Sequence, residues 1–132
     1  MFDWKKPTVQ MLGRWQPWHD GHQALFKRCI KKTGQVIIQV RDVHGVSERE
    51  KQSDNPFDWN AVCKNIEEGL TKDGFKRSVD YEIMLVPNIV NITYGRGVGY
   101  TLEKEVFDKD THAISATRIR KQLRKAGKLK NK

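Results

Sequence analysis

The run Val36-Ile37-Ile38-Gln39-Val40 constrains the fold more than any other stretch. It is almost continuously β-branched, as in a parallel strand buried on both faces. Thr8-Val9-Gln10-Met11-Leu12 reads as a second short strand ahead of it. Between the two, Leu25, Phe26, Cys29 and Ile30 form one apolar stripe at helical spacing. Asp20 is placed to cap that helix with Gln23 three positions on, and Gly34 to end it. Strand, helix and strand of these lengths make a βαβ unit.

The alternation continues. Asn55-Pro56 predicts a cap followed by proline at the first helical position, and Trp59, Val62, Cys63, Ile66 and Leu70 supply the stripe ahead of Gly74. Tyr81 to Val86 is a further strand closed by Pro87, and Ile89 to Tyr94 a fourth. From Val98 to Val106 the apolar residues Val98, Tyr100, Leu102 and Val106 keep to even positions, the pattern of a strand with one wet face. The last helix is expected from Ala116 to Ala126, with Ile119 and Leu123 facing in. No repeat or linker interrupts the pattern, so residues 1–132 are expected to form one domain around an open, mostly parallel five-stranded α/β sheet with helices on both faces.

A chain of 132 residues can bury a core without disulfides. Cys29 and Cys63 lie in helical apolar patterns without metal-ligand spacing and are read as reduced core thiols. The longest apolar run falls well short of the ~20 residues of a membrane span, and the N-terminus lacks a signal-peptide layout, so a cytoplasmic protein without a membrane partner is expected. The formal charge of +9 comes from the end of the chain: residues 118–132 hold eight Lys or Arg and no acid, leaving 17 basic against 16 acidic residues elsewhere. Residues 125–132 are read as a solvated basic tail. A nucleic-acid-binding module using that tail and the tryptophans is the rival reading, and a nucleotide sensor without catalysis a third.

Ligands of open α/β sheets bind where strands turn into helices at the carboxyl edge. Gly13-Arg14-Trp15-Gln16-Pro17-Trp18-His19-Asp20-Gly21-His22 occupies such a turn. His19 and His22, three apart, can face the same side of the helix start, and Gly21 lets a ligand approach the backbone. The helix N-terminus favours an anion, and Arg14 adds a permanent charge. Together they predict a phosphate site. Trp15 and Trp18 are readable either as packing or as nucleotide contacts, and His44 and His112 as solvated.

The same stretch resembles the Gly-Arg-Phe-Gln-Pro-x-His-x-Gly-His signature of the HxGH nucleotidyltransferases, which include cytidylyltransferases, adenylyltransferases and ATP sulfurylases. Ile114-Ser115-Ala116-Thr117-Arg118-Ile119-Arg120 resembles that superfamily's second signature, Ile-Ser-x-Thr-x-Ile-Arg, about a hundred residues further on. Arg41-Asp42, Asn55-Pro56-Phe57, and the run from Val86 through Gly95-Arg96-Gly97 to Tyr100 look like small nucleotidyltransferase domains related to ATP sulfurylase, which also occur alone in tailed phages. Gly97 departs from the more usual Gly-Arg-Asp, which puts an acidic contact there in doubt. A class I synthetase is excluded by size and by the missing Lys-Met-Ser-Lys-Ser motif.

The resemblance implies a Rossmann-like fold and transfer of CMP or AMP from CTP or ATP to a small anionic, phosphorylated acceptor, with release of pyrophosphate. It implies catalytic roles for His19, His22, Arg14 and Arg120. Nucleotide contacts fall on Gly13, Arg14, Trp15, His19, Gly21, His22, Gly95, Arg96, Ile114, Ser115, Thr117 and Arg120. Arg41, Asp42 and Asn55 are the residues expected at the acceptor. Mg2+ is expected on the triphosphate, held by phosphate oxygens and water. Relatives are frequently homodimers, and nucleic acid is not expected as a partner. Which triphosphate and which acceptor are used stays open.

Overall fold

A computed structural model describes residues 1–45, 55–96, 99–105, 107 and 116–127. Its elements run β1 (Val9–Gly13), α1 (Asp20–Thr33), β2 (Val36–Arg41), α2 (Trp59–Lys72), β3 (Tyr81–Val86) and α3 (Ala116–Lys125). The strands form one parallel sheet in the order β1-β2-β3, with Met11 opposite Ile38 and Ile38 opposite Ile83. Gly13 lies opposite Val40, and Arg41 opposite Val86, so the three carboxyl ends finish at one edge.

Val36, Ile38 and Val40 are buried together with Met11, Tyr81 and Ile83, and Phe26 and Cys29 of α1 and Val62, Ile66 and Leu70 of α2 complete that cluster. Phe26 sits edge-on to Phe75 and to Tyr81, at 4.9 and 5.8 Å between ring centres. Both helices therefore cover one face of the sheet. The reason is topological: two successive crossovers that step in the same direction, each with the usual hand, deliver their helices to the same side. The expectation of helices on both faces is corrected accordingly for the described residues. Residues on the opposite pleat, such as Gln10, Leu12, Ile37 and Gln39, are less buried, and the Gln10 side chain donates to that of Gln39.

Among the described residues three strands stand where five were expected. Residues 89–94 are irregular, and so are 99–105, while Val98 and Val106 lie outside the described residues. Val90, Ile92 and Tyr94 are 81%, 57% and 54% exposed. An apolar pattern supplies a strand's propensity, but a strand also needs a neighbour to pair with, and among the described residues none is paired with these.

Both expected N-caps shift. His19, extended at φ −142° and ψ −179°, caps α1 in place of Asp20. Asp58 caps α2 by accepting from the Ala61 N–H at 2.8 Å, three residues beyond Asn55. Gly34 ends α1 as expected, in the left-handed conformation at φ 88°, where a side chain would be strained. The last helix matches its expected span to within one residue, with Ile119 and Leu123 half-buried. Cys29 is buried and Cys63 half-buried, both free, and burial pushes both thiols up. Among the described residues no helix is long and apolar enough to cross a membrane.

Candidate active site

The turn from β1 into α1 is built by what its aromatic residues cover. A side chain on Gly13 would meet the Trp15 ring at 2.8 to 3.0 Å, so only glycine lets the indole fold back over the strand end. Trp15 itself has a positive φ of 53° and donates its indole N–H to the Gln39 carbonyl at 3.0 Å. Trp18 donates to Gln23 Oε1 at 2.7 Å, and Gln23 donates onward to the Gly69 carbonyl at 2.6 Å and to Asp73 at 2.8 Å. Gln23, expected to complete a cap, instead ties α1 to α2. Both indoles are buried.

The two tryptophans wall in His22. Trp15 stands edge-on to its ring at 4.7 Å, Trp18 is tilted against it at 5.5 Å, and the His19 ring stacks on it at 3.6 Å and 17°. Both indoles pack beside the histidine, and Trp15 also borders the cavity described below.

The histidines cap the helix reciprocally. His19 Nδ1 accepts from the N–H groups of Gly21 and His22 at 3.0 and 3.4 Å, while the His19 N–H donates to His22 Nδ1 at 3.2 Å. Because each Nδ1 acts as an acceptor, neutral imidazole must carry its proton on Nε2. Burial pushes His22 down to about 3, assisted by the neighbouring His19. Burial likewise lowers His19, against the opposing pull of the Asp20 carboxylate. Near pH 7 the pair is two neutral rings of fixed tautomer, each with an Nε2–H to give. The expected anion donors also change: the Gly21 and His22 N–H groups are occupied by the cap, and the imidazoles carry the donor function outward.

His19, Gly21 and His22 border a cavity of about 980 Å3 that also meets Met11, Leu12, Trp15, Ile92 and Tyr100. A second cavity of about 550 Å3 reaches His19 from the side of Trp18, Phe57, Gly69 and Leu123. His19 stands between the two.

The other expected residues are distributed as follows. Arg14 is half-buried, and its Nη1 donates to Asn55 Oδ1 at 3.3 Å, which brings a predicted nucleotide residue to a predicted acceptor residue. Asn55 is buried, and its carbonyl accepts from the Gly45 N–H. Arg41 Nη2 donates to Asn88 Oδ1 at 2.8 Å, while its buried Nε has no hydrogen-bond partner among the described residues. Asp42 is exposed, its N–H held by the Val86 carbonyl. Gly95 and Arg96 are exposed and border neither cavity. Ile114, Ser115 and Gly97 lie outside the described residues, and of Thr117 only the backbone in α3 is described. Arg120 is buried, and its Nη1 donates to the Gln16 carbonyl.

Gln16 is the residue that pattern reading passed over. Its amide donates to the Phe57 carbonyl at 2.9 Å and accepts the Phe57 N–H at 2.8 Å. The available signal was a polar side chain set among Trp15, Pro17 and Trp18, where a solvated glutamine has little room.

Parallel strands deliver a tautomer-locked His-x-Gly-His pair to a helix start, the arrangement that the HxGH resemblance implies, and the chain's homologues of known name are nucleotidyltransferases. Among proteins of known name the chain is similar to the nicotinamide-nucleotide adenylyltransferase of Methanococcus aeolicus, 24% identical over 133 aligned positions that cover 86% of this chain and 75% of the relative. The enzyme of the same name from Methanococcus vannielii is 23% identical over 138 positions, covering 89% and 78%. No family model matches the chain.

Proposed function

We propose that the protein transfers the adenylyl group of ATP to the phosphate of a pyridine mononucleotide or a closely similar phosphorylated acceptor. An acceptor phosphate oxygen attacks the α-phosphorus in line, the bond from the α-phosphorus to the α,β-bridging oxygen breaks, and that oxygen leaves with pyrophosphate. No covalent enzyme intermediate is required. Such a reaction depends on positioning and on donors aimed at charge that spreads over the phosphoryl oxygens.

The observation that carries the reading is the reciprocal cap of His19 and His22, which leaves two Nε2–H donors of fixed tautomer on rings bordering one cavity. In this reading they donate to the α- and β-phosphate oxygens. Arg14, oriented by Asn55, supplies the permanent positive charge between nucleotide and acceptor. Arg41 and Asp42, at the carboxyl end of β2, are assigned to the acceptor side. Ile114, Ser115 and Thr117 are assigned to the triphosphate from the signature they resemble. Magnesium, when bound, would be held on the triphosphate by phosphate oxygens and water and would supply charge neutralisation there. The names of the relatives favour ATP over CTP and nicotinamide mononucleotide as the first acceptor to try.

The test is pyrophosphate release from ATP or CTP with magnesium, with and without nicotinamide mononucleotide, accompanied by thermal melts. A triphosphate at 100 times its dissociation constant should stabilise the fold by about 2.7 kcal/mol. Release only with ATP plus acceptor is the expected result. No release with any pair would overturn the reading.

A further inference from the structure

Arg14, Arg41 and Asn88 leave the carboxyl edge of the sheet from three neighbouring strands. Gly13 is opposite Val40, so Arg14 and Arg41 are the next residues on two adjacent parallel strands, whose backbones run about 4.8 Å apart. Arg41 is in turn opposite Val86, and Asn88 follows two residues later. Each guanidinium is held by an asparagine oxygen: Arg14 Nη1 donates to Asn55 Oδ1 at 3.3 Å and Arg41 Nη2 to Asn88 Oδ1 at 2.8 Å. An amide oxygen orients a guanidinium without cancelling its charge. Arg77, just ahead of β3, shows the contrasting arrangement, paired with both Glu67 and Glu82. Among the described residues no carboxylate pairs with Arg14 or Arg41. Asp42 does not neutralise its neighbour: its N–H continues the ladder onto the Val86 carbonyl, and successive side chains along a ladder point to opposite sides, which turns the exposed carboxylate away from Arg41.

Arg41 is half-buried, and its buried Nε–H has no hydrogen-bond partner among the described residues. A donor left in this state costs stability, and an arriving acceptor atom restores it. Arg14 is already the positive charge between nucleotide and acceptor phosphate, whereas the transfer step gives Arg41 nothing to hold. A second oriented cation one strand over calls for a second anion. The planar fork of arginine matches a carboxylate, and Asn88, with its oxygen given to Arg41, has only N–H donors left to add.

We infer that Arg41, oriented by Asn88, binds a carboxylate carried by the acceptor apart from its reacting phosphate, and so selects an acidic acceptor over the corresponding neutral amide. Which phosphate reacts is taken from the nucleotidyl-transfer reading, while the charge selectivity follows from the two residues themselves. A pyridine mononucleotide with a ring carboxylate is the favoured acceptor. The carboxamide is used less well, because it brings one oxygen and no charge to the fork.

The experiment compares nicotinic acid mononucleotide with nicotinamide mononucleotide, a pair that differs only in carboxylate against carboxamide, on full-length wild type, R41Q and N88D. Pyrophosphate release with ATP and magnesium gives kcat and KM for each acceptor, and calorimetry gives the binding of each without turnover. The wild type is expected to favour the acid by roughly 10- to 100-fold in kcat/KM and in affinity, the range for a hydrogen bond to a charged group. R41Q removes the charge and keeps an amide donor, and should bring that ratio close to one. N88D sets a carboxylate against the guanidinium and should also lower the ratio, so it carries the test if R41Q does not fold. Equal use of the two acceptors by the wild type, or a preference for the amide, would overturn the inference and leave nucleotidyl transfer standing. A preference for the acid that the folded variants leave intact would overturn it too. Selective binding of the acid without pyrophosphate release would sink the transfer reading alone, and binding of neither mononucleotide would overturn the inference as well.

Discussion

The backbone N–H of His19 donates to His22 Nδ1 at 3.2 Å while His19 Nδ1 accepts the His22 N–H at 3.4 Å, so each ring is held by the other residue's main chain. Capping and phosphate donation thereby fall to different nitrogens of one ring, and substitution can separate them. Asparagine places an oxygen where Nδ1 stands and is among the best N-caps. His19→Asn should keep the melting temperature and lower turnover on the order of 100-fold, as loss of one transition-state donor does. His19→Gln reaches toward the Nε2 position but gives up the near acceptor, which should cost about 1 kcal/mol of stability. Near-normal turnover in His19→Asn would show that Nε2 is not a donor in the reaction.

Acid should weaken the fold through the same pair. In the unfolded chain an imidazole takes up a proton below about pH 6.5, whereas folded His22 does so only near pH 3. Between those values the unfolded state binds more protons, so the stabilisation is complete above about 6.5 and is lost as pH falls toward 3. The slope is at most about 1.4 kcal/mol per pH unit for one such group. Denaturant melts at about pH 7.5 and about pH 5 should therefore show a steeper loss for the wild type than for His22→Asn, which has nothing to titrate there. Equal slopes would mean that His22 is protonated in the folded protein.

Gly69 tests the wall behind the histidine. A Cβ there would sit 3.0 Å from Trp18 Cδ1, 3.1 Å from its Nε1 and 3.2 Å from Gln23 Oε1. In an open helix, Gly→Ala gains about 1 kcal/mol. Here the indole is pinned by Gln23 in front and His22 beside it, and it has little room to yield. Gly69→Ala should gain clearly less than that amount in thermal melts and should lower kcat as Trp18 is pressed toward His22. Full stabilisation with unchanged kcat would show that the indole moves without consequence.

The central βαβ units were legible because burial on two faces and on one stripe leaves periodic signals: the Val36 run and the Phe26 and Val62 stripes all fall on their elements. The caps were misplaced for a chemical reason. Histidine is not a common N-cap, so Asp20 drew the assignment, and Asn55-Pro56 looks like a helix start although Asn55 serves Arg14. The strand expected at 98–106 rested on alternation alone, which reports what a segment could pair with and not that a partner is there. At the site, the histidines and Arg14 were readable from residue type and spacing. Gln16, Gln23 and the burial of Arg120 were not, because their roles consist of bonds to distant main chain that leave no periodicity.

The basic end of the chain provides the last discrimination. If the excess charge served nucleic-acid binding, affinity would come mainly from phosphate neutralisation and would fall steeply with salt. Removing residues 126–132 would then abolish it. In the nucleotidyltransferase reading the charge that matters lies at the turn after β1, with Arg14 beside Asn55 and the two imidazoles. The same truncation leaves α3 intact through Lys125 and keeps Arg120 on the Gln16 carbonyl. The shortened protein should therefore retain its ATP-induced thermal shift and most of its turnover. Binding of a fluorescent oligonucleotide by the full-length chain, across a salt series, should be weak. Tight oligonucleotide binding that disappears on truncation, together with no thermal shift from ATP, would favour the nucleic-acid module over the enzyme.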